Sequence, residues 1–180
     1  MKDSSKWIMI TGGKYRGRKL LTPGGKTHPM GSRERLALFN MLGGKIKGAS
    51  VLDAFAGSGA LGIEALSRGA SKVVFVDKSP EAVQAIKANL AELEIHDGVK
   101  MIRGAFPQVE LSDFGFFDVI LADPPYDDFV LAEVESLAAL LKSEGMLALS
   151  HPDLAPKIGG LELIKTRQYA AAHLSIYTKN

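Results

Sequence analysis

The sequence predicts an α/β fold built on an open, mostly parallel sheet with helices on both faces. From about residue 48 onward, short apolar runs alternate with helical segments, which is typical of strands linked by crossover helices. The runs are apolar nearly throughout, as strands buried on both faces are. A length of 180 residues suits one domain, and 46% apolar with 23% charged residues is ordinary for a globular protein.

The first 47 residues predict a small extension to this fold, made of a β-hairpin and a helix. Apolar residues at 7–10 and 19–21 flank the Gly-rich basic stretch 11–18, a pattern typical of two short strands and a loop. We expect Ser32 to cap a helix over residues 33–42, which a pair of glycines ends. The side chains predicted to face the core from this helix are Leu36, Phe39, and Met41 or Leu42.

The sequence of the main body, residues 48–180, predicts five parallel strands and a final hairpin. Its elements follow in chain order: a strand at 51–55, a glycine-rich turn, a helix through about 68, a strand at 72–77, a helix at 81–93 opened by Pro80, strands at 99–102 and 117–122, a helix at 129–141, and a strand at 146–150. Two more apolar runs, at 162–165 and 173–177, have no helix between them, so we expect a hairpin that adds one antiparallel strand. The predicted sheet therefore has seven strands.

The composition excludes several classes of site. The chain has no cysteine, which rules out disulfides and thiolate metal sites, and its four histidines are dispersed. No apolar run approaches the length needed to span a bilayer, and residues 1–6 lack the apolar core of a signal peptide. We expect a cytoplasmic, monomeric protein with no metal and no membrane contact.

Basic residues are concentrated at the amino-terminal end of the chain. Residues 1–50 carry eleven Lys or Arg against Asp3 and Glu34, a formal charge of +9, which leaves −7 for the rest of a chain whose net charge is +2. Such an asymmetry indicates a basic arm for a polyanion joined to a catalytic body. A solvated basic surface with no partner is the alternative. The candidates for phosphate contacts are basic side chains of this segment: Lys14, Arg16, Arg18, Arg33 and Arg35.

A G-x-G-x-x-G motif at 57–62 lies between the first parallel strand and its helix. Glycines allow a sharp turn and a close approach of the backbone to a ligand, which the N–H groups of the helix N-terminus can contact. Asp77 ends the next strand, eighteen residues after Gly59, where a carboxylate can accept both hydroxyls of an adenosine ribose. This pair fits NAD and S-adenosylmethionine equally, and tight strand–helix packing alone is a third interpretation.

Asp53, inside the strand before the glycines, distinguishes the two ligands. A dinucleotide needs a pyrophosphate site, whereas S-adenosylmethionine presents an ammonium and a carboxylate. A buried strand aspartate is costly without a positive partner, and Asp53 is placed to attract an ammonium. Asp53 therefore favours the methyl donor.

The segment Asp123-Pro124-Pro125-Tyr126 follows the apolar run 117–122 directly. An aspartate at the end of a buried strand offers acceptors to an exocyclic amine, and two prolines stiffen the turn and remove backbone donors. A tyrosine just beyond supplies a flat face for stacking a nucleobase. The alternative is an ordinary Pro-rich turn, since four residues alone do not separate the two.

Together these motifs resemble those of the RsmD-type bacterial methyltransferases, which modify the exocyclic N2 of a guanine in small-subunit (16S) ribosomal RNA. The resemblance covers nearly the whole chain and rests on five segments: 12–20, 37–40, 51–70, 73–77 and 123–126. The sequence departs from the family at 28–33, which reads His-Pro-Met-Gly-Ser-Arg in place of Arg-Pro-Thr-x-Asp-Arg. It departs again at Gly104 and Ala105, where many relatives carry an Asp or Asn that faces the adenine amine.

The resemblance implies a Rossmann-like class I methyltransferase fold with S-adenosyl-L-methionine as cofactor. The residues that it implies for cofactor binding are Asp53, Phe55, Ala56, Gly57, Ser58, Gly59, Asp77, Lys78, Gly104, Ala105 and Asp123. Asp123 and the Pro124 carbonyl would hold the guanine amine, Pro125 would stiffen the turn, and Tyr126 would stack on the extruded base. Phe129 either adds to that wall or packs in the core, and whether Asp123 takes the proton stays open.

The partner implied is ribosomal RNA, free or within a partly assembled small subunit. The segment 1–47 would bind it and form a lid over the active site, with Gly12, Gly13 and Gly17 letting the loop lie close to RNA. Three rival functions stay open at this point. They are an adenine-N6 methyltransferase acting on DNA or RNA, an NAD-dependent oxidoreductase, and a non-catalytic RNA-binding factor.

Overall fold

The computed structural model describes residues 7–23, 29–169 and 172–180. His28, one of the departures from the family pattern, lies outside these ranges. The strands are β1 (Trp7–Met9), β2 (Lys19–Leu21), β3 (Ser50–Asp53), β4 (Lys72–Asp77), β5 (Val99–Arg103), β6 (Phe117–Ala122), β7 (Leu141–His151), β8 (Leu161–Tyr169) and β9 (Ala172–Lys179). The α-helices are α1 (Ser32–Leu42), α2 (Ala60–Ser67), α3 (Pro80–Glu92) and α4 (Leu131–Leu137).

Seven strands form one sheet in the order β5-β4-β3-β6-β7-β9-β8. Strands β3 to β7 are parallel, and β9 is antiparallel to both of its neighbours, β7 and β8. The mostly parallel sheet with a terminal hairpin is therefore confirmed. The strand order reverses at β3, which lies between β4 and β6, and a crevice forms outside the carboxyl ends of the strands at such a point.

The two faces of the sheet are covered by different elements, because neighbouring strand residues point to opposite sides. Val51 belongs to one apolar cluster, which also holds side chains of α1, α2 and α3. Leu52 belongs to the other, which includes Val134 and Leu137 of α4. Helices on both faces are thus confirmed.

The amino-terminal extension packs into the same core as the sheet. Strands β1 and β2 pair antiparallel, with Ile8 opposite Leu20. Both side chains are buried in the cluster that contains Phe39 of α1, Ile63 of α2 and Leu174 of β9. The hairpin and α1 are therefore joined to the body by apolar contacts as well as by the chain.

Several details of the sequence-based expectation were wrong, among them the first parallel strand, which ends at Asp53 and not at residue 55. Ser32 is the first residue of α1 and Gly31 is its N-cap. Leu36 is 41% exposed, because Arg35 and Leu38 take the inward positions instead. Helix α4 is shorter than residues 129–141, since a 3-10 turn at 138–140 follows it. Strand β7 begins at Leu141, five residues before Met146, and a register irregularity with β6 absorbs the difference.

Candidate active site

A cleft of about 830 Å³ opens at the carboxyl edge of the sheet, where the strand order reverses. It is lined by residues at the end of β4 and just beyond β3, β5 and β6: Asp77, Ala54, Gly104 and Asp123. The volume lies within the range of small-molecule and cofactor pockets, about 300–1,000 Å³. The topology therefore brings the glycine turn, Asp77 and the Asp-Pro-Pro-Tyr segment to one site.

The three glycines of the motif have different tasks. Gly57 lines the cleft with φ +53°, and a Cβ added there would meet nothing within 4 Å. Gly59 does not line the cleft, and it adopts φ +77° with a Cβ position 3.0 Å from Ile86. A Cβ on Gly62 would come within 2.2 Å of Phe75. Only the first glycine is thus placed for a ligand, while the third is required for packing of α2 on β4.

Asp77 lies at the end of β4 and fixes the backbone of the glycine turn. Its Oδ2 accepts a hydrogen bond of 2.8 Å from the Gly57 N–H, and its Oδ1 accepts one of 2.9 Å from the Ser79 N–H. The carboxylate also lines the cleft. Each oxygen has a further lone pair, so Asp77 can accept hydroxyl hydrogens from a ligand.

Asp53 ends β3, directly before the glycine turn, and its side chain does not line the cleft. It is fully buried, and its Oδ2 accepts a 2.8 Å hydrogen bond from the Gly62 N–H. Its Oδ1 has no partner among the described residues. Burial, together with the charges of Asp123 and Asp77, raises the pKa of Asp53 to about 7, although the hydrogen bond from the Gly62 N–H opposes this rise.

The other residues expected at the cofactor line the cleft: Phe55, Ala56, Gly57, Ser58, Asp77, Lys78, Gly104, Ala105 and Asp123. A Cβ on Gly104 would lie 2.9 Å from Cγ2 of Val109, so this position cannot carry the Asp or Asn of its relatives without a shift. Gly104 therefore offers only backbone groups to the ligand.

Asp123, Pro124, Pro125 and Tyr126 all line the cleft. Burial raises the pKa of Asp123 to about 6, while the Ser150 hydroxyl, the Met30 N–H and the charge of Arg35 oppose this rise. The Tyr126 hydroxyl is hydrogen-bonded to the Ser150 hydroxyl, and burial raises its pKa. Ser150, 1% exposed on β7, thus links the two side chains.

The prolines leave an acceptor at the cleft. Among the described residues, no donor bonds to the Pro124 carbonyl, whereas the Pro125 carbonyl accepts from the Asp128 N–H at 3.2 Å in a short 3-10 helix. Phe129, the side chain with two possible tasks, packs against the apolar cluster on the α4 face and does not line the cleft. It belongs to the core.

Arg35 is not a surface phosphate ligand, which corrects one sequence-based candidate. It is 1% exposed, and its Nε lies 3.2 Å from Oε2 of the fully buried Glu64. Its other nitrogens donate to the carbonyls of Met9 and Met30, the latter at 2.9 Å. Arg35 therefore connects three elements: β1, the segment that precedes α1, and α2. Its side chain also lines the cleft.

Glu64 is the centre of this buried cluster. Its carboxylate accepts hydrogen bonds from Thr11, through the backbone N–H at 2.8 Å and the hydroxyl at 2.6 Å. Arg68 donates through Nε at 2.9 Å. A helical pattern built on apolar spacing does not reveal Glu64 or Arg35, because polar residues on a core face escape such a pattern.

The glycines before the basic loop serve the body of the protein rather than an RNA surface. A Cβ on Gly13, at φ +77°, would lie 1.9 Å from the Ser67 carbonyl oxygen, and one on Gly12 would meet Arg68. The loop is held there by hydrogen bonds of 2.7 Å from the Lys14 N–H to the Ser67 carbonyl and 2.9 Å from the Tyr15 N–H to the Ser67 hydroxyl. Of the three glycines 12, 13 and 17, only Gly17 has no neighbouring atom within 4 Å of an added Cβ among the described residues.

The remaining basic candidates are exposed and outside the cleft: Lys14, Arg16, Arg18 and Arg33. Arg18 donates to the Glu92 carbonyl at 3.0 Å and pairs with its carboxylate at 3.4 Å. Both side chains of the pair are more than half exposed, so the pair is weak.

The cleft combines a glycine turn that is open to a ligand with the Asp77 carboxylate, and the buried carboxylate of Asp53, whose Oδ1 has no partner among the described residues, lies nearby. Within the described parts of the chain, no three His, Asp or Glu side chains converge closely enough to hold a metal ion. No helix in the described ranges has both the length and the apolar content needed to cross a membrane.

Matches to known proteins extend over nearly the whole chain. A family model described as "Conserved hypothetical protein 95" matches residues 8–178. YlbH of Bacillus subtilis (strain 168) is 33% identical over 96% of this chain and 99% of its own length. Ribosomal RNA small subunit methyltransferase D of Escherichia coli (strain K12) is 37% identical over 78% of this chain and 70% of its own.

The solved structure of yhhF from Escherichia coli superposes with a TM-score of 0.82 at 26% identity, covering 97% of this chain and 99% of that one. Its agreement extends over the hairpin, the sheet and the terminal strands, since almost no part of either chain is left out. The motifs, the cleft and these matches agree, and the chain belongs to the family described as "Conserved hypothetical protein 95", that of the RsmD-type ribosomal RNA methyltransferases.

Proposed function

We propose that this protein transfers a methyl group from S-adenosyl-L-methionine to the exocyclic N2 amine of a guanine in small-subunit ribosomal RNA, in the cytoplasm. The observation that carries the proposal is the placement of two motifs across one cleft. Gly57 and Asp77 follow β3 and end β4, whereas Asp123 to Tyr126 follow β6, which neighbours β3 on the side away from β4. The family to which the chain belongs supports ribosomal RNA as the substrate.

The glycine-turn side of the cleft would hold the cofactor. Asp77 would accept the ribose hydroxyls while it keeps the turn in place through the Gly57 N–H. Phe55 and Phe106 line the cleft and offer apolar surface to an adenine. Asp53 would act from below by attracting positive charge, since its carboxylate is buried and its Oδ1 has no partner among the described residues.

The Asp123 side of the cleft would hold the target amine. When bound, S-adenosylmethionine supplies a methyl group on a sulfonium centre, which is already a good leaving group. The protein therefore has mainly to align the amine, and alignment alone can account for much of the rate. Asp123 and the Pro124 carbonyl would accept the two amine hydrogens and stabilise the positive charge that develops on nitrogen.

The environment of Asp123 suits this task and also a proton transfer. A carboxyl group with a pKa of about 6 is mostly ionised at pH 7 and is a stronger base than an ordinary aspartate. Asp123 can therefore accept the proton that the methylated amine must lose. Tyr126 would cover the face of the base, with its ring held in place by the hydrogen bond to Ser150.

The test is methyl incorporation from labelled S-adenosylmethionine into small-subunit RNA and particles from cells that lack the protein. Mass spectrometry of the nucleosides should show N2-methylguanosine. Asp123→Ala should abolish transfer while cofactor binding, measured by calorimetry, stays nearly unchanged. Asp123→Asn is the matched variant, which keeps the shape and removes the charge.

Three results would refute the proposal in different ways. N6-methyladenosine as the product, or transfer to duplex DNA, would favour the adenine-specific rival. Thermal stabilisation by NAD and not by S-adenosylmethionine would favour the oxidoreductase. RNA binding with no turnover on either free RNA or particles would favour a non-catalytic factor.

The basic arm would supply phosphate contacts from the exposed side chains of Lys14, Arg16, Arg18 and Arg33. Replacing Arg16 and Arg18 together by alanine should weaken RNA binding and reduce the slope of log K against log salt by about 1.4 to 1.8. A slope unchanged from the parent would remove both side chains from the RNA interface. The segment 29–31 and Glu34 line the cleft, which supports a lid function for the part of the arm that the structure describes there.

A further inference from the structure

The β-hairpin exposes an aromatic and apolar face to solvent. Trp7 and Met9 are 53% and 51% exposed, although Ile8 between them is buried. Trp7 lies opposite Leu21 and Met9 opposite Lys19, so these four side chains share one face of the hairpin. Large exposed apolar side chains beside cations mark an interaction surface.

This face forms one wall of a groove against α3. The groove has a volume of about 640 Å³, and Trp7, Lys19 and Leu21 line it together with Asn89 and Glu92 of α3. Arg18 also lines it, while Lys14 and Arg16 are exposed in the loop that precedes it. The one acidic side chain among the described lining residues, Glu92, is paired with Arg18, so the rim retains a positive charge.

The groove and the active-site cleft are neighbours. Leu21, opposite Trp7, is followed by Thr22 and Pro23, which line the cleft. Asn89 donates from Nδ2 to the Leu21 carbonyl and to the Ser58 carbonyl of the glycine turn, both at 2.9 Å. Its Oδ1 accepts from the Leu21 N–H at 2.7 Å. One buried asparagine therefore joins the wall of the groove to the wall of the cleft.

We propose that this groove binds an unpaired nucleotide that flanks the target base, with its base stacked on Trp7 and its phosphates on Lys19 and Arg18. The inference rests on the proposed function. A base that enters the cleft must leave its stack, and its neighbour loses a stacking partner at the same time. Trp7 replaces that partner, because any base can stack on an indole ring.

The charge at the groove selects RNA over a peptide as the occupant. A neutral peptide would use the apolar side chains of Trp7 and Leu21 but would offer no anion to Lys19, since Arg18 is already paired with Glu92. A nucleotide uses both, since base and phosphate are about one side chain length apart. An acidic partner protein remains an outcome that the experiment can reveal.

Trp7 is the single tryptophan of the chain, so intrinsic fluorescence reports directly on this groove. Titration with short single-stranded oligoribonucleotides should quench the emission saturably, with the same midpoint as binding measured by anisotropy of labelled RNA. Binding without quenching would overturn the proposal.

Substitutions test the same point. Trp7→Ala should weaken binding of small-subunit RNA by roughly tenfold, whereas Trp7→Phe should keep most of the affinity because a smaller aromatic ring still stacks. Phe116→Ala is the matched control: this phenylalanine is 60% exposed but precedes β6, at the opposite edge of the sheet from the cleft. The Phe116→Ala variant should bind small-subunit RNA with the same affinity as the parent protein.

Failure of this inference differs from failure of the proposed function. If Trp7→Ala binds and methylates RNA as the parent does, the groove does not hold a nucleotide, and the methyltransferase assignment stands. If the parent shows quenching and a Trp7-dependent affinity but no methyl transfer, the groove is an RNA site and the proposed reaction is wrong. Unfolding temperatures of all variants, measured by calorimetry, exclude a general loss of structure.

Discussion

Replacing Glu64 by glutamine should destabilise the protein far more than the same replacement at Glu92. Both glutamates pair with an arginine, but Glu64 is fully buried while the Glu92 side chain is 74% exposed. Glu64 accepts hydrogen bonds from the backbone N–H and the hydroxyl of Thr11, and from the guanidinium groups of Arg35 and Arg68. An amide has one oxygen and one NH2 group, so its nitrogen would face donors that need an acceptor.

The magnitude follows from what the change leaves behind. Arg35 is 1% exposed and would lose its ion-pair partner, and breaking a buried pair costs about 3 to 5 kcal/mol. For a domain of this size that loss corresponds to a fall in Tm of roughly 6 to 20 °C. The surface pair at Glu92 contributes about 1 kcal/mol or less, so its fall should stay below about 4 °C.

Calorimetry at neutral pH measures both values. Hydrogen exchange followed by mass spectrometry locates the effect, since Thr11 and Met9 belong to the segment that the cluster holds. Glu64→Gln should increase exchange in residues 7–23 before the sheet is affected. Equal Tm values for the two variants, or unchanged exchange in that segment, would show that the buried cluster does not hold the hairpin.

Three further changes test the site and the hairpin. Ser150→Ala removes a hydroxyl that lowers the pKa of Asp123, so the acid limb of the methyl-transfer rate, expected near pH 6 in the parent, should move to higher pH in single-turnover profiles. Asp53→Asn should raise Tm at pH 8 but not at pH 4. The pKa of Asp53 is about 7 in the folded state and lower in the unfolded state, so the folded protein loses stability as pH rises toward and through 7 and the buried carboxyl group ionises; asparagine cannot ionise. The same variant should bind S-adenosylmethionine on the order of tenfold more weakly by calorimetry, because a charged attraction is lost. Gly13→Ala should lower the urea midpoint clearly more than Gly17→Ala, since both have positive φ but only Gly13 would contact a backbone carbonyl; equal midpoints would show that the loop can move away from α2.

Much of the fold could be predicted because its strands are local apolar runs with clear ends. The bounds of β4 and β6 agree with the sequence-based ranges at every residue. The inward face of α1 and the start of β7 could not be predicted in this way, because a buried arginine and a polar segment at a strand start do not follow apolar spacing. Arg35 is buried beside Glu64, 29 residues further along, and near the carbonyls of Met9 and Met30, which are contacts that apolar spacing does not predict.

The site could be predicted at the level of motifs but not at the level of individual contacts. The glycine turn, Asp77 and Asp123 meet because strand ends share one edge of a parallel sheet. Asp53 was expected at the ligand, but the proximity of α2 turns its side chain to the Gly62 N–H. Ser150 gave no sequence signal, since its role depends on β7 lying beside β6.

The apolar contacts between the hairpin, α1 and the sheet determine how this protein can be dissected. Ile8, Leu20 and Phe39 are packed with Ile63 and with side chains of the parallel strands, so the arm and the methyltransferase body should melt in one cooperative transition. Truncation at residue 47 would remove β1, β2 and α1 from one face of the sheet, leave α2 and α3 there, and expose the apolar side chains that the arm covers. The contribution of the arm to RNA recognition is therefore accessible through surface substitutions, and not through a shortened enzyme.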